Sequence, residues 1–347
     1  MNNYILKQND LTMHFFHIPN QGLALRKKHL NLWHNHRIIL PDSNGIFSAI
    51  QGDDQTINIV SLTNKNEIIY MILGDKYEKS VTLTTLKEEM TVKNISLFKT
   101  PMGQNFIYAA RYQGKLLLVH CILGDNARPD TIDEIQTEDF SIYKTSVYYT
   151  NSAGILGYKN LSDGKADIFN SITQGAVSPY IYNFYGRDFI TYIKDNKIYL
   201  QNRPLADDPG AEKPIIFEEN GKLFVMWQKG DFIRYVSSDN SGETFSPIMQ
   251  YVSSGKIPAP LGVIKNDKTY RYFATVSAKD IHIFGKDDVF LNPKNSPPES
   301  NIQPLSGFKL LLDMEKSEVA KLKKEVLLLS NTLDKLQKNN RQKSDNF

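Results

Sequence analysis

The sequence holds a single cysteine, Cys121. One thiol excludes an intrachain disulfide and a thiolate metal cluster. Its place in the apolar run Leu116-Leu117-Leu118-Val119-His120-Cys121-Ile122-Leu123 predicts core packing rather than a reactive nucleophile. No window approaches 18 uncharged apolar residues, so no membrane insertion is expected. The opening residues 1–10 carry neither the basic start nor the apolar stretch of a secretory leader. The expectation is a cytoplasmic protein, with surface display by a non-classical route left open.

A surplus of charge is also missing from most of the chain. The net charge is +3, and the segment from Lys309 onward holds nine Lys/Arg against six Asp/Glu, so the whole surplus lies in the tail. A neutral body lacks the clustered Lys/Arg face that nucleic acid requires, and no nucleic-acid partner is expected. Phosphate-loop, dinucleotide-fingerprint, Gly-x-Ser-x-Gly and His-Glu-x-x-His motifs are absent, and no cofactor is predicted. Five of the seven histidines, His14, His17, His29, His34 and His36, fall in the first 36 residues. His34 and His36 fit one face of a strand, but no carboxylate or thiol joins them at ligand spacing. The expectation is a polar strand face without metal.

What the sequence has is aromatic, β-favouring material: 18 Tyr, 18 Phe and 41% hydrophobic residues. Short apolar or alternating runs separated by Gly, Asn, Asp and Lys turns continue to about residue 291, without a helix-length amphipathic window. One layout recurs: an apolar segment, a turn, an alternating aromatic strand, a second turn and a further strand. It is plainest from Pro214 to Trp227. Copies occur at Pro179–Tyr182 with Phe189–Ile193 and at Pro260–Ile264 with Tyr270–Phe273. Fainter copies occur at Phe106–Tyr112, Ile57–Leu62, Ala153–Tyr158 and Met13–His17. Anchoring each unit on its second strand gives about seven copies roughly 43 residues apart, the period of a propeller blade.

A four-stranded blade cannot bury both faces alone, so its neighbours stack around an axis until a ring closes. The fold class read from the chain is all-β, a β-propeller of seven blades with six as the competing count. Two stacked β-sandwiches are the alternative. Closure is expected from Tyr4-Ile5-Leu6 lying beside the last strands near Ile281–Phe284 and Val289–Leu291.

In the clearest unit, Ser238-Asp239-Asn240-Ser241-Gly242-Glu243-Thr244-Phe245 follows the strand-like run Phe232–Val236. It resembles the Asp-box, or bacterial neuraminidase repeat, Ser-x-Asp-x-Gly-x-Thr-Trp, with Asn240 at the Asp position and Phe245 at the Trp position. The resemblance covers eight residues. It implies a sialidase-like β-propeller in which Ser238, Asn240, Gly242, Thr244 and Phe245 stabilise the turn between a blade's third and fourth strands, away from any catalytic face. A sialidase-like hydrolase would also need converging arginines, a carboxylate acid/base and a tyrosine nucleophile paired with glutamate. The candidates Arg111, Arg187, Arg234 and Arg271 fall in different units, the Phe-Arg-Ile-Pro signature is absent, and no catalytic residue is assigned.

After residue 291 the character changes. The organisation predicted is a propeller over 1–291, a Pro/Ser/Asn-rich linker over 292–308, an amphipathic helix over 309–340 and a disordered tail over 341–347. Val319, Leu322, Val326, Leu329, Leu333 and Leu336 follow the alternating three and four spacing of a coiled-coil seam. Leu327 and Leu328 widen that face, and an isolated helix with so much exposed leucine needs a partner. Self-association through this helix is expected. The functional reading is a non-catalytic propeller that binds a protein or glycan and is multimerised by its helix. A divergent sialidase-like glycan-processing enzyme and a structural component of a larger assembly are the alternatives.

Overall fold

The computed structural model describes residues 3–284 except 9–10, 30–31, 53, 75–76, 102, 124–128, 162–167, 185, 252–258, 266–267 and 277–280. The chain divides between Pro293 and Lys294. The predicted linker and helix, with Val319, Leu322, Val326, Leu329, Leu333 and Leu336, lie outside the described residues. Every regular element among the described residues is a strand, and no helix there is long and apolar enough to cross a membrane.

The strands form meanders that succeed one another along the chain, gathered in five hydrogen-bonded sheets. Three sheets are single four-stranded meanders, built from residues 43–85, 176–207 and 212–251. A fourth holds two meanders joined through the long strand Asp130–Tyr143. Its first half pairs with Lys115–Ile122 and its second half with Ser146–Asn151. The fifth joins the first meander to the last. The first strands of seven successive units are Asn3–Gln8, Ser43–Gln51, Thr91–Thr100, the second half of Asp130–Tyr143, Ala176–Phe184, Glu212–Glu219 and Ala259–Lys265. These first strands surround one cavity. The result is an all-β, propeller-like arrangement.

Burial falls from the inside outward. The second strand of unit 2, Ile57–Thr63, is buried at every position, whereas the fourth strand of that unit is exposed from Glu78 to Thr82. A strand covered on both faces needs apolar residues facing both ways, which explains its near-continuous hydrophobic run. In the second strand of unit 3, successive side chains serve opposite neighbours. Phe106, Tyr108 and Ala110 pack with Ile50, Val60 and Leu62 of unit 2, while Ile107 and Ala109 pack with Phe140 and Tyr149 of unit 4.

Three expectations need correction. The strand Asn3–Gln8 does not lie beside Ile281–Phe284. It pairs in parallel with Ala259–Lys265, Tyr4 opposite Gly262 and Ile5 opposite Val263, while Ile281–Ile283 pairs with the far side of Lys268–Val276. The reason is burial: Ile5 and Leu6 point to opposite faces and are both covered, which an outer position would not allow. The predicted second-strand anchor Ala153–Tyr158 falls on the third strand of its unit, Ile155–Asn160; the second is Ser146–Asn151. His34 and His36 lie between strands rather than on one, because the chain leaves the sheet after Trp33, where the His34 N–H bonds the Lys27 carbonyl at 2.8 Å.

Candidate functional site

The first strands shape the site through a repeated irregularity. In units 2 to 6 the first strand slips register against the second near its start, between Ser43 and Phe47, Val92 and Asn94, Ile135 and Phe140, Val177 and Tyr180, and Glu212 and Ile215. Such bulges release residues from the ladder and redirect their side chains. In units 3 to 6 the released residues line the central cavity of about 780 Å³; they include Lys93, Glu138, Asp139, Ser178 and Lys213. Ser178 and Lys213 hold φ of 53° and 50°. That left-handed conformation is uncommon for residues with side chains and costs on the order of 1 kcal/mol.

In units 2, 3, 5 and 6 the inner strand ends its sheet, and hydroxyls of the neighbouring unit bond part of that edge. The Leu97 N–H donates to Ser48 Oγ at 3.0 Å and the Ile181 N–H to Ser141 Oγ at 3.4 Å, both hydroxyls being buried. Ser178 Oγ donates to Asp139 Oδ2. These last two links place residues 139 to 141 alongside 178 to 181 in the same order, so the inner strands of units 4 and 5 run parallel. Unit 7 reaches in through Arg271, whose N–H donates to the Tyr180 hydroxyl at 3.0 Å and whose Nη2 donates to the Phe140 carbonyl at 3.2 Å.

The two ends of the cavity differ chemically. The bulge end carries two lysines, Lys93 and Lys213, and two carboxylates, Glu138 and Asp139. The other end, where the inner strands finish, carries Lys99, Thr100, Tyr143, Lys144, Tyr182, Asn183 and Tyr270. Tyr182 and Tyr270 meet edge to face with ring centres 5.9 Å apart. Behind them Asn183 Nδ2 donates to Asp188 Oδ1 at 2.6 Å. Burial, reinforced by a hydrogen bond to Asp188, pushes Tyr143 up to about 12, and burial does the same to Tyr182. Both phenols therefore stay protonated at physiological pH, the Tyr143 hydroxyl donating to Asp188.

Of the four arginines considered for a converging cluster, Arg271 alone lines this cavity. Arg234 donates to Asp208 Oδ1 at 2.8 Å, Arg187 lies over the Phe189 ring at 5.1 Å, and Arg111 is exposed at the outer part of its strand. Asp208 is buried and also accepts from Trp227 Nε1 and Lys229 Nζ. Burial alone would raise its pKa, but the hydrogen bonds from Lys229, Trp227 and Arg234 outweigh it and hold the carboxyl below its usual value.

The eight-residue motif lies between the third and fourth strands of unit 6, Phe232–Ser238 and Met249–Tyr251. Ser238 Oγ accepts the Gly242 N–H at 2.8 Å, Asn240 Oδ1 accepts the Thr244 N–H at 2.9 Å, and Asn240 Nδ2 donates to Thr244 Oγ1 at 2.9 Å. Gly242 adopts φ of 90°, and Phe245 packs on the core shared by units 5, 6 and 7. None of these residues lines the cavity. Cys121 is buried, and burial, then Asp130, pushes its thiol up to about 12. Among the described residues, no group of three or more His, Cys, Asp or Glu side chains is placed to hold a metal ion.

No family model matches this sequence, and no curated protein matches it. Among solved structures, the Aleuria aurantia lectin in complex with alpha-methyl-L-fucoside is 8% identical, covers 81% of this chain and 93% of the lectin, and has a TM-score of 0.45. AofleA from Arthrobotrys oligospora is 9% identical, covering 82% and 86%, at 0.45. A chain of the yeast Nup82-Nup159-Nup116 nucleoporin complex is 12% identical, covering 82% and 98%, at 0.47. At such identities none of them transfers a functional residue to this chain.

Proposed function

We propose that this chain is a non-catalytic binding propeller that takes a glycan or protein ligand at its axial cavity and is multimerised through its C-terminal helix. The observation that carries the binding reading is the cavity lining. Polar side chains released by four bulges and a tyrosine wall surround it, while Arg187 and Arg234 serve packing or ion pairs elsewhere and Arg111 is exposed. A sialidase-like hydrolase needs several arginines on one substrate carboxylate, and among the described residues Arg271 alone lines the cavity.

The finer architecture follows the same reading. Seven successive meanders support seven blades, with the parallel pair Asn3–Gln8 and Ala259–Lys265 as the closure. The hydrogen-bonded turn of Ser238 to Phe245 supports placing the protein among Asp-box propellers. Helical self-association rests on the heptad seam from Val319 to Leu336. Linked copies gain avidity because the second contact is intramolecular. A cytoplasmic location is part of the proposal.

Glycan-array binding on the full chain, followed by calorimetry on the hits, tests the ligand. Hydrolysis of a fluorogenic sialoside would overturn the non-catalytic assignment. Light scattering with size-exclusion chromatography tests the helix. The full chain is expected to be a multimer, and a chain ending at Ser306 a folded monomer. A monomeric full chain would refute multimerisation.

A further inference from the structure

We infer that the tyrosine-lined end of the cavity is a saccharide site in which Tyr182 and Tyr270 stack on a neutral sugar ring and Asn183 with Asp188 bonds its hydroxyls. This rests on the binding reading above and names the ligand class and the end of the cavity that holds it.

A sugar ring offers C–H faces and a belt of hydroxyls, so it needs aromatic faces beside paired donors and acceptors. Tyr182 and Tyr270 stand at 65° to one another and are both partly exposed, forming a corner with a face on one side and an edge on the other. Tyr143 continues the wall. The Tyr182 phenol, the Asn183 amide and the Asp188 carboxylate supply both hydrogen-bonding senses within one small region.

Two competing ligands fit less well. A cation held among aromatic rings is disfavoured because Lys99 and Lys144 line this same end, Lys144 Nζ lying 5.0 Å over the Tyr143 ring. A peptide adding as a strand needs open inner edges, yet the Leu97 and Ile181 N–H groups are already bonded to Ser48 and Ser141.

The test is saturation-transfer NMR and calorimetry on the full chain with methyl glycosides of neutral hexoses. Tyr270→Ala or Tyr182→Ala is expected to weaken binding about tenfold or more, and Asn183→Ala, which leaves the rings in place, by a similar factor. Tyr182→Phe keeps the ring and removes the hydroxyl, so it is expected to lose less than Tyr182→Ala. Sugar binding that survives the tyrosine variants but fails with Lys93→Ala or Lys213→Ala would move the ligand to the bulge end. That result overturns this inference and leaves the broader binding reading standing. If no methyl glycoside binds while a protein ligand competes at the cavity, the saccharide assignment falls alone. If nothing binds the cavity, both fall.

Discussion

His14, on the second strand of the first unit, Leu11–Ile18, gives a pH test of the packing on the face it shares with Arg26 and Trp33. Its side chain is fully buried, stacked on Phe16 at 4.7 Å and 6.2 Å from the Trp33 ring. Arg26 Nε donates to its Nδ1 at 3.0 Å, which assigns the ring proton to Nε2. The cations around it are Arg26, which lies over Phe16 and Trp33, and Lys28, which lies over Trp33. Burial, with the Arg26 charge added, lowers its pKa from 6.5 to about 3. Between those values the unfolded chain binds a proton that the folded chain refuses, so stability is complete above pH 6.5 and declines as the pH falls toward 3. From pH 7 to pH 5 this group alone removes about 2 kcal/mol.

His120 is shifted the same way by burial, so the wild type alone cannot isolate the effect. His14→Gln can: it keeps an acceptor for Arg26 and does not titrate. Urea unfolding followed by the fluorescence of Trp33 and Trp227 at pH 7 and pH 5 is expected to show the wild type losing about 2 kcal/mol more than the variant. Equal losses within about 0.5 kcal/mol would show that His14 is not held neutral by its surroundings.

Three further expectations follow from packing. Gly262→Ala places a Cβ at 2.4 Å from Tyr4 Cδ1, where the first and last units pair, and is expected to cost about 1–3 kcal/mol in urea unfolding; an unchanged midpoint would mean the junction is loose. Asp208→Asn strips the counter-charge from Lys229 and Arg234, both about one-third exposed, and is expected to cost about 2–3 kcal/mol, less than a fully buried pair. Ser238→Ala removes the acceptor of the Gly242 N–H, for about 1–2 kcal/mol and a lowered Tm; no change would show the turn is held by its backbone alone.

The strands were legible because their pattern is local. Pro214 to Trp227 carries an inner strand, a turn and a covered second strand in fourteen consecutive residues, and it spans two adjacent strands of the structure. The fourth unit was read one strand late because its inner strand is not apolar at its start. Glu134, Glu138 and Asp139 interrupt the run, and one continuous strand serves two meanders. The closure was misplaced for a related reason. Parallel pairing of Asn3–Gln8 with Ala259–Lys265 leaves no turn between the partners, so nothing local marks it.

The cavity was not legible at all, since it is a property of register. Arg271 reaches Phe140 across 131 residues, and a bulge is invisible until both strands of a pair are placed. The bulges also argue for use rather than accident. They recur at the start of the inner strand in five successive units, so the scaffold repeats while the residues released onto the cavity do not: Lys93, then Glu138 and Asp139, then Ser178, then Lys213. Glycine at the left-handed positions of Ser178 and Lys213 would relieve the backbone of on the order of 1 kcal/mol each. A ring that needed only to close has a use for the Ser178 hydroxyl, which ties unit 5 to Asp139 of unit 4, but none for the Lys213 ammonium. A cavity with two chemically different ends does have a use for it, charged groups standing at the bulge end and tyrosines at the other.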